Sequence, residues 1–539
     1  MVSDSYLQQT DFELSASDNI GGVTTQVSEA KYVSDPLALY YQLCADKPNT
    51  LLLESAEIDS KDHLKSLLLL SAAVRFECHG HQVTARALND NGHNALMSLG
   101  QFLAPFLQQR TADEITFSFP SADQQADEDT RLKSHNALSV LRACVEMFTC
   151  HDPQKHPFRV FLGGCFAYDL LAIAETLPSV PEGVNTCPDF MFYLGQDICI
   201  IDHTEGTTQL VTNHFTGVED TTELLAQHHQ YLIQLQQDIA PLTAAHPALQ
   251  CNQAIAVTTD KSDSEFCADV SSLKEHILAG DIFQVVPSRT FSLPCESAIL
   301  AYATLKTQNP SPYMFYVKDV AFELFGASPE SALKYTAQTK QVEIYPIAGT
   351  RPRGKRANGS IDHDLDSRIE LNLREDLKEK SEHIMLVDLA RNDVARVSTP
   401  GTRHVKELLK VDRYSHVMHL VSRVVGELRS DLDALHAYQA CMNMGTLVGA
   451  PKVSAATLIR QVEQQRRGSY GGAVGYLDAD GDMDTCIVIR SAFVQHGVAH
   501  VQAGAGVVND SVPQSEADET RAKAQAVITA IQTSHGASS

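Results

Sequence analysis

Two pairs of glutamates in the sequence could bind a hard cation. Glu379 and Glu382 lie three residues apart in the segment 377–394 (LKEKSEHIMLVDLARNDV), and Glu516 and Glu519 repeat the spacing near the C-terminus. On a helix, residues three apart lie on the same face, so each pair would present two carboxylates in one direction. Carboxylate and substrate oxygens suit Mg²⁺. A solvated helix face is the usual alternative for such glutamates, and the neighbouring segments decide between the two.

The segment before the second pair could bind an anion. In 498–508 (VAHVQAGAGVV), Gly504 and Gly506 interrupt a run typical of a strand. Glycines at a passage from strand to helix let backbone N–H groups face a negative charge, although a β-bulge is the alternative interpretation. Arg490, and Tyr470 in a glycine-rich turn, could add a guanidinium and a hydroxyl for a carboxylate.

Helices and strands of mixed order must position these residues. Helices are predicted for 227–237, 262–280, 377–394 and 513–531, and strands for 161–168, 192–201, 315–317, 342–344 and 486–489. Because the elements do not follow a strict βαβ repeat, the pattern favours an α+β fold. The segment 241–253 has turn residues and little periodicity, which predicts a connector between two halves of the chain.

Composition restricts the classes of partner. The 539 residues include 67 acidic and 42 basic side chains, a formal net charge of -25, which argues against binding to nucleic acid or to an anionic membrane. An anionic substrate must therefore be captured by a local site. The N-terminus lacks the pattern of a signal peptide and no apolar run reaches the ~20 residues of a membrane span, so we expect a cytoplasmic protein. Twelve cysteines without a Cys-x-x-Cys pair favour free thiols.

The segment 349–356 (GTRPRGKR) nearly matches the phosphate-binding P-loop. Its last position is Arg356 where a Ser or Thr should contact Mg²⁺, and Pro352 removes a backbone donor from the loop. We therefore predict no nucleotide site here.

Six motifs together resemble the chorismate-utilising enzymes. They are GASPES (326–331), PIAGTRPRG (346–354), EKSEHIMLVDLARND (379–393), MHLVS (418–422), MGTLVGAPK (444–452) and AGAGVV (503–508). LLLES (51–55) and NPSPYM (309–314) further resemble the tryptophan-binding segments of the anthranilate synthase large subunits. The resemblance implies an α+β fold in which two antiparallel sheets form a sandwich surrounded by helices. It also implies interwoven halves, an N-terminal region 1–250 carrying part of a tryptophan site and a catalytic region 255–532 with a soft boundary between them.

The resemblance also implies roles for single residues. Mg²⁺ would lie between Glu382 and Glu519, with Glu379 and Glu516 in the surrounding acidic shell. Glu330 would be the general acid and His419 a base or orienting group near the reacting carbon, while Thr446 would contact the substrate or the acid. Chorismate contacts are implied for Gly349, Thr350, Tyr470, Arg490, Gly504, Ala505, Gly506 and Lys523.

Regulation, partners and close relatives complete the expectations. Ser55, Pro312, Tyr313 and Met314 match the family's tryptophan-binding positions, which implies feedback inhibition by L-tryptophan. The motifs run to near the C-terminus, so we expect ammonia from glutamine to come from a separate glutamine amidotransferase subunit (component II), in a heterotetramer.

Aminodeoxychorismate synthase carries a lysine where this chain has Ala348. That enzyme, isochorismate synthase and a non-catalytic tryptophan-binding paralogue are the alternatives.

Overall fold

The computed structural model describes residues 21–55, 64–123, 125–150, 155–215, 222–239, 255–356, 359–414 and 417–535. The predicted connector 241–253 lies outside these ranges. Within them, no helix is long and apolar enough to cross a membrane. All eleven cysteines in these ranges are free.

Strands make up much of the described chain. In its first half they are β1 (Gly21–Ala30), β2 (Thr50–Glu54), β3 (Lys65–His79), β4 (Gln82–Ala87), β5 (Leu107–Arg110), β6 (Glu114–Ser118), β7 (Phe148–Cys150), β8 (Phe161–Phe166), β9 (Phe190–Asp202) and β10 (Thr207–Phe215). In its second half they are β11 (Thr258–Thr259), β12 (Gln284–Val285), β13 (Ser288–Pro294), β14 (Tyr313–Lys318), β15 (Glu323–Ser328), β16 (Ser331–Thr336), β17 (Gln341–Ile344), β18 (Ile347–Pro352), β19 (His404–Arg413), β20 (Val417–Glu427), β21 (Gly449–Ala450), β22 (Ala473–Asp478), β23 (Met483–Ile487), β24 (Ser491–Gln495) and β25 (Val498–Gly504).

Helices connect these strands. They are α1 (Pro36–Cys44), α2 (Asp90–Phe102), α3 (Glu128–Lys133), α4 (Ser139–Met147), α5 (Thr222–Leu235), α6 (Asp263–Ala279), α7 (Ala298–Gln308), α8 (His363–Glu375), α9 (Leu377–Val397), α10 (Ala434–Cys441), α11 (Gly445–Val448), α12 (Lys452–Glu463) and α13 (Pro513–Ser534). Short 3₁₀ turns cover Ala104–Phe106, Pro157–Arg159 and Tyr168–Ile173.

Two long strands, β3 and β9, are shared by two sheets. Their outer parts, such as Leu67↔Ile200, belong to a first sheet with the strand order β7-β1-β10-β9-β3-β2-β14-β15-β24-β25-β13-β11. Beyond register shifts between Leu69 and Val74, the same strands continue into a second sheet. Its order is β5-β6-β4-β3-β9-β8-β22-β23-β16-β17-β20, with β18 and β19 also paired to β20. Apart from β1 with β7, these pairings are antiparallel.

The faces of the two sheets enclose a common core, and helices cover their outer faces. Phe315 and Leu324 of the first sheet pack in one buried cluster with Phe161 and Val474 of the second. Two further clusters join the outer faces to helices, the first sheet to α1, α7 and α13 and the second to α2, α4 and α9. This is the predicted α+β arrangement of antiparallel sheets between helices, which is thereby confirmed. Pairing of β2 with β14 and of β8 with β22 also interleaves the two halves of the chain.

Local sequence signals explain where the important helices begin and end. Ser262 and Glu265 form a reciprocal capping box at the start of α6, and Gly280 ends that helix with a left-handed φ of 85°. Pro513 occupies the first turn of α13, where its missing N–H costs no hydrogen bond. The helices predicted for 262–280, 377–394 and 513–531 are confirmed. Two predicted strands are shorter than expected, because β8 ends at Phe166 before a 3₁₀ turn and β23 ends at Ile487.

Candidate active site

Glu330 lies buried in the short link between β15 and β16, with 7% of its surface exposed. Its backbone is fixed on both sides, because its N–H donates to Ser328 Oγ at 3.3 Å and its carbonyl accepts from Ile487 N–H at 3.0 Å. Burial raises the pKa of the Glu330 carboxyl to about 8, while the nearby Thr446 hydroxyl and the charge of Lys523 oppose the shift. The carboxyl therefore keeps its proton at neutral pH.

A narrow cleft opens beside Glu330 and Thr446. Its opposite wall is formed by one face of α9, including Leu386, Ala390 and Asp393. Thr446 is carried by the short helix α11, which places its hydroxyl near the acid. The carboxyl thus faces α9 and α11 on this side.

His419 lies on β20, directly opposite Thr350 of β18. The Thr350 hydroxyl and His419 Nδ1 are 2.9 Å apart, and the Tyr414 ring packs edge-on against the imidazole at 5.2 Å. Burial lowers the pKa of His419 to about 4, and the nearby positive charge of Arg490 acts in the same direction. The imidazole is therefore neutral at pH 7 and can accept a proton or a hydrogen bond.

Cationic and hydroxyl groups meet at the end of β25. Lys523 Nζ donates to the Gly504 carbonyl at 3.0 Å, and Arg490 Nη1 donates to the carbonyl of Lys523 at 3.0 Å. Tyr470 is buried and forms a hydrogen bond with the backbone of Gly504. Burial lowers the pKa of Arg490, and the Tyr470 hydroxyl and the Glu519 carboxylate counteract it. Three predicted anion-binding side chains are thus brought together around one backbone segment.

The backbone of residues 504–506 is less free than the sequence suggested. The N–H of Ala505 donates to the Pro287 carbonyl at 3.1 Å, which continues the pairing of β25 with β13. A side chain added at Gly506 would lie 2.9 Å from Gln284 Nε2, so this glycine permits a close approach of β12. Arg490 also departs from expectation, since it lies between β23 and β24 with a φ of 50° instead of ending a strand.

The two glutamate pairs lie on α9 and α13 as predicted, and Glu379 and Glu519 form ion pairs. Glu379 accepts from Arg351 at 2.8 Å, and Glu519 accepts from Lys523 at 2.6 Å. Glu382 is half-buried, and Glu516 is buried with 7% exposure. Within the described ranges no group of three or more His, Cys, Asp or Glu could hold a metal by itself. All-oxygen donors nevertheless fit Mg²⁺, which needs only one or two carboxylates when water and substrate supply the rest.

Gly349 allows β18 to lie close to the first glutamate pair. Its φ of 74° favours glycine, and a side chain there would lie 3.1 Å from Glu379 Oε2. The residue forms a backbone hydrogen bond with His419. Gly349, Thr350, His419 and Glu379 are therefore neighbours, as predicted.

The predicted tryptophan-binding residues also come together, at a different place. β2 pairs with β14, with Glu54 opposite Met314, so Ser55 directly follows the strand that lies beside 312–314. Glu54 is satisfied by the Tyr302 hydroxyl at 2.6 Å and by Lys306 Nζ at 2.5 Å. Met314 is buried and Tyr313 half-buried.

Sequence reasoning missed residues that support the site. Arg351 neutralises Glu379 and Asp376, Tyr414 packs on His419, and Arg467 forms a buried ion pair with Glu463. Arg351 was considered only as part of the rejected P-loop and of the PIAGTRPRG motif, and the structure places it on strand β18. The i to i+4 spacing of Glu463 and Arg467 was the available signal for their ion pair.

Comparisons with known proteins match this geometry. A family model described as chorismate binding enzyme matches residues 104–529. Anthranilate synthase component 1 of Vibrio cholerae is 58% identical over 512 residues, which cover 94% of this chain and 96% of that protein. The chain belongs to the chorismate-binding enzymes. Within that family it is a homologue of anthranilate synthase component 1 over nearly its whole length, since the Escherichia coli protein of that name is also 55% identical over 514 residues, 94% of this chain and 97% of that one.

Solved structures agree with the fold of this chorismate-binding enzyme. Anthranilate synthase component I from Streptococcus pneumoniae matches with a TM-score of 0.67 and 26% identity, covering 93% of this chain and 99% of that one. The menaquinone-specific isochorismate synthase of Escherichia coli matches with a TM-score of 0.64 and 17% identity, covering 96% and 97%. The second likeness supports the fold alone.

Proposed function

We propose that this enzyme converts chorismate and ammonia into anthranilate, pyruvate and water, the first committed step of L-tryptophan biosynthesis. The observation that carries the proposal is a proton-retaining carboxyl, Glu330, beside the cations Lys523 and Arg490 that a dianionic substrate needs. Homologues named anthranilate synthase component 1 support the choice of reaction.

The proposed reaction depends on a proton donor. Ammonia adds at C2 of the ring, the double bond shifts, and the C4 hydroxyl leaves. Hydroxide is a poor leaving group, so Glu330 donates its proton and water departs. Because burial keeps Glu330 protonated at neutral pH, the donor is in the required state before substrate binds. Thr446, whose buried hydroxyl lies near the carboxyl, is proposed to contact the substrate or the acid.

The second stage needs a base. The amino intermediate loses its C2 proton and the enolpyruvyl side chain leaves as pyruvate, which makes the ring aromatic. Neutral His419, held at Nδ1 by Thr350, is proposed as the base or as the group that orients it. Gly349 and Thr350 line the ring pocket beside it.

Binding a dianion to an acidic protein requires local positive charge. Arg490, Tyr470, Lys523 and the backbone of Gly504 and Gly506 are proposed to bind the enolpyruvyl carboxylate, since the Ala505 N–H donates to the Pro287 carbonyl. Mg²⁺ would be held by Glu382 and Glu519, with Glu379 and Glu516 nearby, and when bound it would neutralise the ring carboxylate. The ion pairs of Glu379 and Glu519 already limit repulsion between these carboxylates.

Product analysis tests the reaction against its relatives. Ala348 lies on β18 beside Gly349 and offers no amine for the covalent attack on C2 made by aminodeoxychorismate synthase. Mass spectrometry of the products from chorismate, Mg²⁺ and ammonium should show anthranilate and pyruvate. Isochorismate, a 4-amino product or no turnover would each select one of the rivals.

Ammonia is proposed to come from glutamine through a separate amidotransferase subunit, component II, in a heterotetramer in the cytoplasm. The designation "component 1" of the homologues supports a second component. The purified chain should use ammonium, better at higher pH where more NH₃ exists, and should not use glutamine. Glutamine-dependent turnover by the isolated chain would contradict the two-subunit proposal.

Feedback by L-tryptophan is proposed at Ser55, Pro312, Tyr313 and Met314. One hydroxyl and an apolar wall suit an indole amino acid. β14, which carries 313–314, is paired with β15, and Tyr313 lies opposite Ser328, whose hydroxyl accepts from the Glu330 N–H. Tryptophan that favours a less active position of β14 would therefore disturb the acid, and chorismate would weaken tryptophan binding by the same factor.

A further inference from the structure

The buried ion pair between Glu463 and Arg467 lies behind the proposed substrate site without contributing to it directly. The two side chains are 2% and 1% exposed. Arg467 Nε donates to Glu463 Oε2 at 2.9 Å and Nη2 donates to Oε1 at 2.5 Å. Such a bidentate pair fixes the orientation of the guanidinium plane. The remaining donors of that plane then act as a rigid fork.

Each remaining donor of Arg467 holds a different segment of the site. Nη1 donates to the carbonyl of Leu447, the neighbour of Thr446, at 2.9 Å. Nη2 also donates to the carbonyl of Val286 at 2.7 Å. The guanidinium carbon lies 5.6 Å from the centre of the Tyr470 ring, which it faces. One side chain therefore joins the segment of Thr446, the segment before β13 and the ring of Tyr470.

Glu463 extends the same support to the glycine segment. Its Oε1 accepts from both the N–H and the hydroxyl of Ser288, each at 2.8 Å. Ser288 lies opposite Gly504 in the pairing of β13 with β25. The carboxylate thus fixes the strand against which the end of β25 is placed.

We propose that Glu463 and Arg467 are positioning residues that set the geometry of the proposed enolpyruvyl carboxylate site through Tyr470 and Gly504. The inference rests on the proposed function, because it assigns the substrate that those two residues bind. A lysine cannot replace Arg467, since one ammonium on a flexible chain cannot serve Glu463, Leu447 and Val286 in one plane. Displacement of the binding groups by ~1 Å can cost about 100-fold.

The test compares two buried arginines. Arg467→Lys should raise the KM for chorismate by about 10- to 100-fold, with the KM for ammonium unchanged. Arg75→Lys is the matched control. Arg75 lies in β3, is buried, and forms an ion pair with Asp319 at 2.8 Å. The proposed site uses neither residue. The control should lose a similar amount of thermal stability and keep the wild-type KM.

Each outcome of this comparison is informative. A raised KM for chorismate in Arg467→Lys alone supports the inference. An unchanged KM with a lower activity per milligram of protein shows a merely structural pair and overturns it. If Arg467→Lys does not fold, Ser288→Ala, which removes one hydrogen bond to Glu463, decides by the same measurement: a raised KM supports the inference and a wild-type KM overturns it. Absence of anthranilate from the wild-type chain would refute the proposed function instead.

Discussion

Glu330 and Asp478 are both buried carboxyls, and burial raises the pKa of each to about 8. They lie at opposite ends of β23, since the Glu330 carbonyl accepts from Ile487 N–H and Asp478 caps the hairpin before Met483. Their surroundings differ. Asp478 accepts from the N–H groups of Asp480 and Asp482, so its oxygens serve a tight turn.

Around Glu330 the neighbours are a hydroxyl and a cation, while around Asp478 they are further carboxylates that raise its pKa. A raised pKa therefore does not identify a catalytic acid by itself. What distinguishes Glu330 is the cleft beside it and the anion-binding groups Lys523 and Arg490 nearby. The hairpin uses its buried acid to hold a turn, whereas we propose that the acid in the link between β15 and β16 serves chemistry.

The largest loss of turnover is expected when either proposed Mg²⁺ ligand is substituted. Glu382→Gln and Glu519→Gln should each abolish turnover, because each removes charge from the Mg²⁺ site that the ring carboxylate requires. Asp518→Asn is the control, since Asp518 lies on the same helix as Glu519 with an exposed side chain paired to Arg521. Initial rates across a Mg²⁺ titration measure the effect. Near-normal rates at saturating Mg²⁺ in either glutamine variant would refute the metal assignment.

The next largest effect is expected on kcat when Glu330 and Asp478 are substituted and the two variants are compared. Glu330→Gln should lower kcat by about 10²- to 10⁴-fold, the usual contribution of a general acid, with little change in the KM for chorismate. Asp478→Asn should keep the wild-type kcat, because the hairpin holds no proposed substrate group. Steady-state kinetics on both variants test the contrast. A change confined to KM in Glu330→Gln would make Glu330 a binding residue, and an equal loss of kcat in both would remove the distinction.

The pH dependence of folding stability should be affected in the same way by both acids. In the unfolded chain a carboxyl ionises near pH 4 to 4.5, whereas each folded carboxyl holds its proton until about pH 8. The folded state therefore binds the extra proton in this window, and its stability falls as pH rises through it. Glu330→Gln and Asp478→Asn should both melt at a higher temperature than wild type at pH 8, and close to it at pH 4. A melting difference independent of pH in either variant would contradict the raised pKa.

The smallest effect on basal activity is expected from substitutions at the proposed tryptophan site, part of which lies on β14. Tyr313 lies opposite Ser328, and its hydroxyl donates to Asp484, on β23 between the two acids, at 3.3 Å. Ser55→Phe and Met314→Thr should keep catalysis without inhibitor and lose sensitivity to tryptophan. Initial rates over a tryptophan titration decide. Unchanged inhibition in both variants would dismiss this site, and equal loss of basal activity would show that these are core residues.

Much of the fold was predictable because its signals are local. The capping box at Ser262 and Glu265 and Pro513 at the start of α13 mark helix ends in sequence. The sharing of β3 and β9 between two sheets was not predictable, because register shifts within strands leave no periodic pattern. The resemblance to a family supplied the two-sheet arrangement that periodicity alone did not.

For the site, sequence found the groups that carry charge and missed those that hold them. Glu330 and His419 stand in recognisable motifs, and the structure places Lys523 near Glu330 and Arg490 near His419. The burial that shifts their pKa values depends on packing from distant segments, so no local pattern contains it. The Ala505 N–H was assigned to an anion, but tertiary pairing gives it to Pro287. Arg467 was overlooked because its partners at Val286 and Leu447 are distant in sequence.

The central claim is that Glu330 carries a proton at neutral pH. Infrared difference spectra between wild type and Glu330→Gln, recorded from pH 5 to 10, test it most directly, with Asp478→Asn as the control for a second buried acid. We predict that wild type shows the carbonyl band of a protonated carboxyl at pH 7 which Glu330→Gln lacks, and that this band fades as the pH rises through about 8. A difference spectrum that shows only an ionised carboxylate at pH 7 would contradict the account.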